Sequence, residues 1–244
     1  MVTFKTLDSS IISFIVLSII FIHSYSRRER LFAQYKLFNT LVILTMALIV
    51  IDILGWAFNG LPGSLNYFLN VAFNLILYIT GPMVPCVWLL YIHYLVIDEE
   101  LRIKNIKISL VVALAVNACI ACLSLSTGWY FYVDSSNIYH RGPWFLAYMA
   151  FCELLLLYSF IFVIRKRNRF QKRHFYSVML FFVAPLVGSV IQILNYGVSY
   201  VYTGIMLSLL IIYFNLQSRN LNTDYLTGVS NRLHFQIYIK EKIR

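Results

Sequence analysis

The chain has 244 residues, 60% of them hydrophobic and only 12% charged, with a formal net charge of +10. A soluble domain carries about a quarter charged residues, so this composition excludes an ordinary globular enzyme and points to an all-α, multi-span membrane protein. The positive excess calls for no nucleic acid, because the basic residues lie in short connections beside apolar runs.

A membrane-crossing helix needs about 20 apolar residues, and seven runs qualify, at 9–26, 37–58, 65–97, 108–126, 144–164, 174–196 and 199–217. The first is followed by "RRER" rather than a small-residue cleavage site, so it reads as a span and not a signal peptide. The second carries Asp52 within two turns of its end. The third is long enough to bend, and the two prolines of "GPMVP" (Gly81 to Pro85) predict a kink. Asn66, Asn70 and Asn74 open that run at a spacing of four, on one helix face. His23 and His93, both near the inner ends of the first and third spans, are expected to snorkel toward the headgroups.

The fourth run holds Asn117 near its middle, then Cys119 and Cys122. With Cys86 and Cys152 also in apolar stretches, all four cysteines read as small packing residues rather than a metal or redox site. The connection "TGWYFYVDSSNIYHRGP" (127–143) is the longest on its side. It reads either as an interfacial belt of Trp and Tyr or as a lid. The fifth run holds Glu153, the sixth ends with Gln192 and Asn195, and "YGVS" turns into the seventh, which has no lysine for a retinal Schiff base.

Eighteen of the 20 basic residues fall on one side of these spans, leaving only Lys5 and Arg141 on the other. The positive-inside rule then predicts an N-terminus outside and a cytoplasmic C-terminus, in the cell's inner (cytoplasmic) membrane, with the bilayer itself as the partner of the basic patches. An acid at mid-bilayer costs about 2.5–3.5 kcal/mol on insertion scales. Asp52, Asn66, Asn70, Asn74, Asn117, Glu153 and Gln192 are therefore the candidate polar cluster, most of it in the outer half. Either these groups tie helices together, at about 0.6 kcal/mol per contact, or they line an outward-open cavity for a small-molecule stimulus.

Three blocks, "GPMVPCVWLLYIHYLV" (81–96), "RGPWFLAYMAFCELLLLYSFIFVI" (141–164) and "RHFYSVMLFFVAPLVGSVIQIL" (173–194), resemble the seven-helix N-terminal sensor region of membrane histidine kinases and cyclases. Gly142, Pro143, Trp144 and Pro185 are the most distinctive positions. The tail "DYLTGVSNRLHF" (224–235) is similar to the D-x-L-T-G-x-x-N-R-x-x-F that opens a GGDEF, or diguanylate cyclase, domain. Its matching residues are Asp224, Leu226, Thr227, Gly228, Asn231, Arg232 and Phe235.

The resemblance implies a sensor domain over 1–217, a helical linker over 218–223 and the truncated start of a GGDEF domain over 224–244. The glycine-rich hairpin and the downstream acids of that family do not follow, so these residues are expected to build no catalytic site and to hold no cofactor. GTP and Mg²⁺ are implied only for the missing cyclase domain, through which the family also implies a homodimer. The expected function is the membrane input module of a bacterial cyclic di-GMP signalling protein, coupled to its output through the seventh helix. A small-molecule or ion transporter or channel is the alternative. It predicts repeated halves or matched broken helices, and only the third span is interrupted. A kinase output is disfavoured because the single histidine after the seventh run is His234. A scaffold without output is the remaining reading.

Overall fold

In hydrocarbon a backbone amide has no water to bond, so each apolar run closes its hydrogen bonds within a helix. The computed structural model describes residues 4–25, 33–96, 100–169 and 172–222. Among them lie α1 (Phe4–Tyr25), α2 (Ala33–Phe58), α3 (Ser64–Thr80), α4 (Met83–Val96) and α5 (Glu100–Thr127), then α6 (Phe145–Arg165), α7 (Lys172–Leu194) and α8 (Tyr200–Asn222). Helices α3 and α4 together form one crossing, Ser64–Val96. With α2, α5, α6, α7 and α8 it makes six helices long and apolar enough to span a bilayer, and α1 adds a shorter apolar stretch, Asp8–Ser24. The fold is that of a seven-helix, multi-pass membrane protein.

The kink expected at "GPMVP" is a full break. The Gly81 amide still donates to the Leu77 carbonyl (2.8 Å), but Pro82 has no amide to continue the ladder. A new helix begins at Met83 and takes Pro85 into its first turn, where a missing N–H costs nothing. Helix α5 starts at Glu100, eight residues before the apolar run at 108. Hydropathy registers only the segment that crosses lipid, whereas helical hydrogen bonding continues through polar residues. Helix α8 likewise runs past Leu216 to Asn222.

The connection after α5 departs from the all-α expectation. It forms an antiparallel hairpin of β1 (Phe131–Val133) and β2 (Tyr139–Arg141), pairing Phe131 with Arg141 and Val133 with Tyr139. Asp134 organises its turn by accepting the Ser136 and Ile138 amides, both at 2.9 Å. Asn137 supplies the left-handed residue, at φ 61°, a conformation its side chain tolerates.

Unlike a soluble bundle, the helices are apolar on their outer faces as well as in the core. Ile11, Ile15, Ile19 and Ile22 of α1 and Val111, Val112 and Val116 of α5 face outward, as lipid contact allows. Inside, Trp88 of α4 stacks on Phe181 of α7 with ring centres 3.5 Å apart. Helices α7 and α8 touch backbone to backbone: a Cβ on Gly188 would lie 2.6 Å from the Tyr200 carbonyl oxygen, and one on Gly204 would overlap that of Ala184. Ser208 donates to the Phe181 carbonyl across the same seam (3.2 Å). Helix α5 stands apart, packed mainly on α3, α4 and β1.

Two expectations need correcting. His93 does not snorkel: it is buried, donates through Nδ1 to the Leu89 carbonyl (2.8 Å) and stacks on Phe162 at 4.2 Å. The α4 face that carries it meets α6, so the ring serves as core. His23 lies on the exposed surface but bonds the Tyr213 hydroxyl of α8 at 2.5 Å. Cys119 and Cys122 do not pack either; both are exposed along α5. Among the described residues no group of His, Cys, Asp or Glu could hold a metal ion.

Candidate functional site

The hairpin is strapped across the end of the bundle from two sides. On one side Asn70 of α3, fully buried, donates to the Asn137 backbone oxygen (3.1 Å) and side-chain oxygen (2.8 Å). Asn137 in turn donates to the carbonyls of Phe58 and Leu61, both at 2.8 Å, capping the end of α2. Asn59 accepts the Tyr139 amide at 2.7 Å. On the other side the Arg141 guanidinium reaches three carbonyls at the end of α7, those of Gln192 (2.6 Å), Ile193 (3.1 Å) and Asn195 (3.4 Å). The last carbonyls of a helix lack internal partners and carry the negative end of its dipole, so a guanidinium fork suits them. The Tyr196 hydroxyl adds a bond to the Tyr139 carbonyl. Of the two sequence readings for 127–143, this geometry is that of a lid.

Under the lid lie two chambers of about 90 Å³ each. The mouth chamber is bounded by Asp52 and Trp56 of α2, Asn74 of α3, Tyr139 and Arg141 of β2, and Ser199 before α8. The deep chamber is bounded by the helix break at Gly81, by Glu153 of α6, Pro185 and Ser189 of α7, and Ile205 of α8. Tyr148, Met149, Gln192 and Tyr202 border both and form the septum between them. Gly81 is required there, since a Cβ would collide with the Tyr148 hydroxyl.

Among the described residues each chamber has one acid. Asp52 is 8% exposed and hydrogen-bonded by Ser199. Glu153 accepts a 2.5 Å bond from the Ser189 hydroxyl through Oε1, while its Oε2 and the Gln192 Oε1 are buried with no hydrogen-bond partner. In the lid, burial pushes the Tyr139 phenol up to about 12. It therefore keeps its proton, and its hydroxyl pairs with that of Tyr78 at 2.7 Å.

The structure thus divides the seven candidate residues. Asp52, Asn74 and Gln192 border the mouth chamber, and Glu153 and Gln192 the deep one. Asn66 bonds back to the Pro62 carbonyl (2.7 Å), and Asn70 holds the lid as well as Asn74, whose Nδ2 donates to it at 2.8 Å. Asn117 is a packing residue, donating to the Tyr78 carbonyl at 2.8 Å and accepting from the Tyr130 hydroxyl at 3.3 Å. The tail residues Asp224, Leu226, Thr227, Gly228, Asn231, Arg232 and Phe235 lie outside the described residues. Sequence reading missed Trp56, Tyr139, Arg141, Ser199 and Tyr202. Arg141 alone carried a signal, as one of two basic residues on the wrong side of the charge asymmetry.

The arrangement sets two acids, one engaged guanidinium and several phenols in an apolar surround. Comparison with known proteins gives a family match over residues 9–222, to the N-terminal 7TM region of histidine kinase. No curated protein and no solved structure matches the chain.

Proposed function

We propose, from the premise that this chain belongs to the family of N-terminal 7TM regions of histidine kinases, that it is the sensory input module of a bacterial inner-membrane signalling protein. A small molecule entering beneath the hairpin alters how α8 packs, and α8 carries the change to a cytoplasmic output. One observation carries this reading: Ser199, Tyr202 and Ile205, at the start of α8 and along it, wall the two chambers, and the same helix runs on to Asn222. A ligand can shift output only by binding two packing states unequally, and an occupant of these chambers touches the output helix directly.

For the output we favour a diguanylate cyclase, on the strength of the GGDEF-like residues Asp224 to Phe235 that follow α8. GTP and Mg²⁺ would then belong to that domain and not to the bundle. Such a domain works as a pair, so the proposed assembly is a homodimer through the output. The family name speaks for a kinase, and the tail motif speaks for a cyclase.

The test locks α8. The hydroxyls of Ser13 on α1 and Thr203 on α8 are 3.2 Å apart, so cysteines at both positions place two sulfurs within bonding reach. Residues 1–235 carrying Ser13→Cys and Thr203→Cys, in a background free of the native cysteines, are joined to a GGDEF catalytic portion in liposomes. Cyclic di-GMP production from GTP and Mg²⁺ should change on oxidation and recover on reduction. Equal rates in both states would overturn coupling through α8.

A further inference from the structure

The deep chamber presents two oxygens that ask for hydrogen-bond donors. Glu153 Oε2 and Gln192 Oε1 are buried and receive none, although buried acceptors are as a rule satisfied. The mouth chamber adds Asp52, which has the Ser199 hydroxyl as a partner and no ion pair among the described residues. Among the described residues, Arg141 is the one basic side chain on either wall. Its guanidinium is committed to three carbonyls and lies over the Phe145 ring, 4.5 Å from its centre. What the walls leave unanswered is negative charge and acceptor capacity.

The surround selects the kind of cation. Trp56, Tyr139 and Tyr196 form an aromatic group at the mouth, with ring centres 6.2–6.4 Å apart. Leu48, Leu156, Phe181 and Ile205 supply apolar wall below. No cluster of metal-ligating side chains accompanies the acids among the described residues, so a metal ion would lack its ligand set. An organic cation satisfies every part. Its N–H groups answer the two oxygens, its charge answers the acids, aromatic faces attract it, and its carbon skeleton meets the apolar wall. An anion in either chamber would meet an acid of like charge, an arrangement that discriminates by repulsion.

We propose that the two chambers bind a small organic amine in its ammonium form, with its N–H groups donated to Glu153 and Gln192 and its hydrocarbon part against α7 and α8. This rests on the sensory reading and names the ligand class of that site.

Thermal unfolding and isothermal titration of the purified full chain in detergent test it, with two matched probe sets. Benzylamine is compared with benzyl alcohol and benzoate, and butylamine with butanol and butyrate. The amines should raise Tm and bind, while the alcohols and carboxylates do not. Glu153→Gln, which keeps the side-chain shape, should weaken amine binding at least tenfold, and Asp52→Asn should weaken it too. The wild-type comparison of amine with alcohol decides the question even if either variant folds poorly. Alcohols or carboxylates binding as well as amines, or no amine binding at all, would overturn the ligand class. The sensory reading would then still stand or fall by the α1–α8 disulfide. Amine affinity unchanged in both variants would overturn the assignment to these chambers.

Discussion

Asp134 carries more of the lid than its half-buried position at the turn suggests. Its carboxylate accepts the Ser136 and Ile138 amides and pairs with the His140 ring at 2.9 Å. The Ile138 amide, followed by His140, holds its carboxyl below the usual 3.8. A depressed pKa means that the unfolded hairpin takes up the proton more readily than the folded one. The contribution of Asp134 is therefore complete above the ordinary carboxylate range and disappears as pH falls through the depressed value. Amide hydrogen exchange over 131–141 should show constant protection above about pH 5 and a loss below about pH 4. Asp134→Asn should flatten that acid response, and a loss of protection on raising pH would contradict the account. Gly142, singled out by the family resemblance, has a local reason to be glycine: any Cβ would run into the Gly128 and Trp129 carbonyls as the chain leaves the hairpin for α6.

Among elements, the α7–α8 pair is the tightest, and small side chains make it so. Ala184 and Gly188 lie four apart on α7, as Gly204 and Ser208 do on α8: Gly188 meets the Tyr200–Val201 backbone, Gly204 meets Ala184, and Ser208 bonds the Phe181 carbonyl. Small residues at that spacing let helices approach within a bilayer, where packing rather than water expulsion drives association. Gly204→Ala should therefore destabilise the bundle by about 1–3 kcal/mol, the usual cost of overpacking. Gly55→Ala, whose Cβ would meet only ordinary contacts at 3.7 Å, should be close to neutral. Equal losses in denaturant titrations of the two variants would remove the seam from the argument. The spans were readable from the sequence because a bilayer demands long apolar runs, and the break because proline has no amide to donate. The seam was not, since hydropathy sums over small and large apolar residues alike. The hairpin was hidden for a different reason. Aromatic residues favour membrane interfaces and β-strands equally, so Phe131, Tyr132 and Tyr139 fitted either.

At the scale of the molecule, Lys36, Lys104, Lys107, Arg165 and Arg167 lie toward the helix ends away from the hairpin, from which we infer that the hairpin faces outside. With the native cysteines replaced, a cysteine label at Asn168 should react only from the cytoplasmic side and one at Ser135 only from outside. Reaction of position 168 from outside would sink that orientation. The candidate site was half legible. Asp52, Asn74, Glu153 and Gln192 stood out because a polar group within a span is costly and therefore conspicuous. Tyr139 and Tyr202 did not, as two of 18 tyrosines in a chain rich in them. Asn70 and Asn117 look the same as Asn74 in sequence and differ only in what the folded chain sets opposite them.

The reach of Arg141 also sets an order of assembly. Its three carbonyl acceptors lie 51 to 54 residues further along the chain. A ribosome delivers the hairpin first, and chains organise from the N-terminus during synthesis. While α7 is still being made, the strap has its asparagine anchor on α3 and nothing to close against. The enclosure beneath it is therefore among the last features to mature, completed only when α7 arrives to be clasped and α8 turns back along it. A nascent chain halted before residue 195 would hold most of the helices and neither finished chamber.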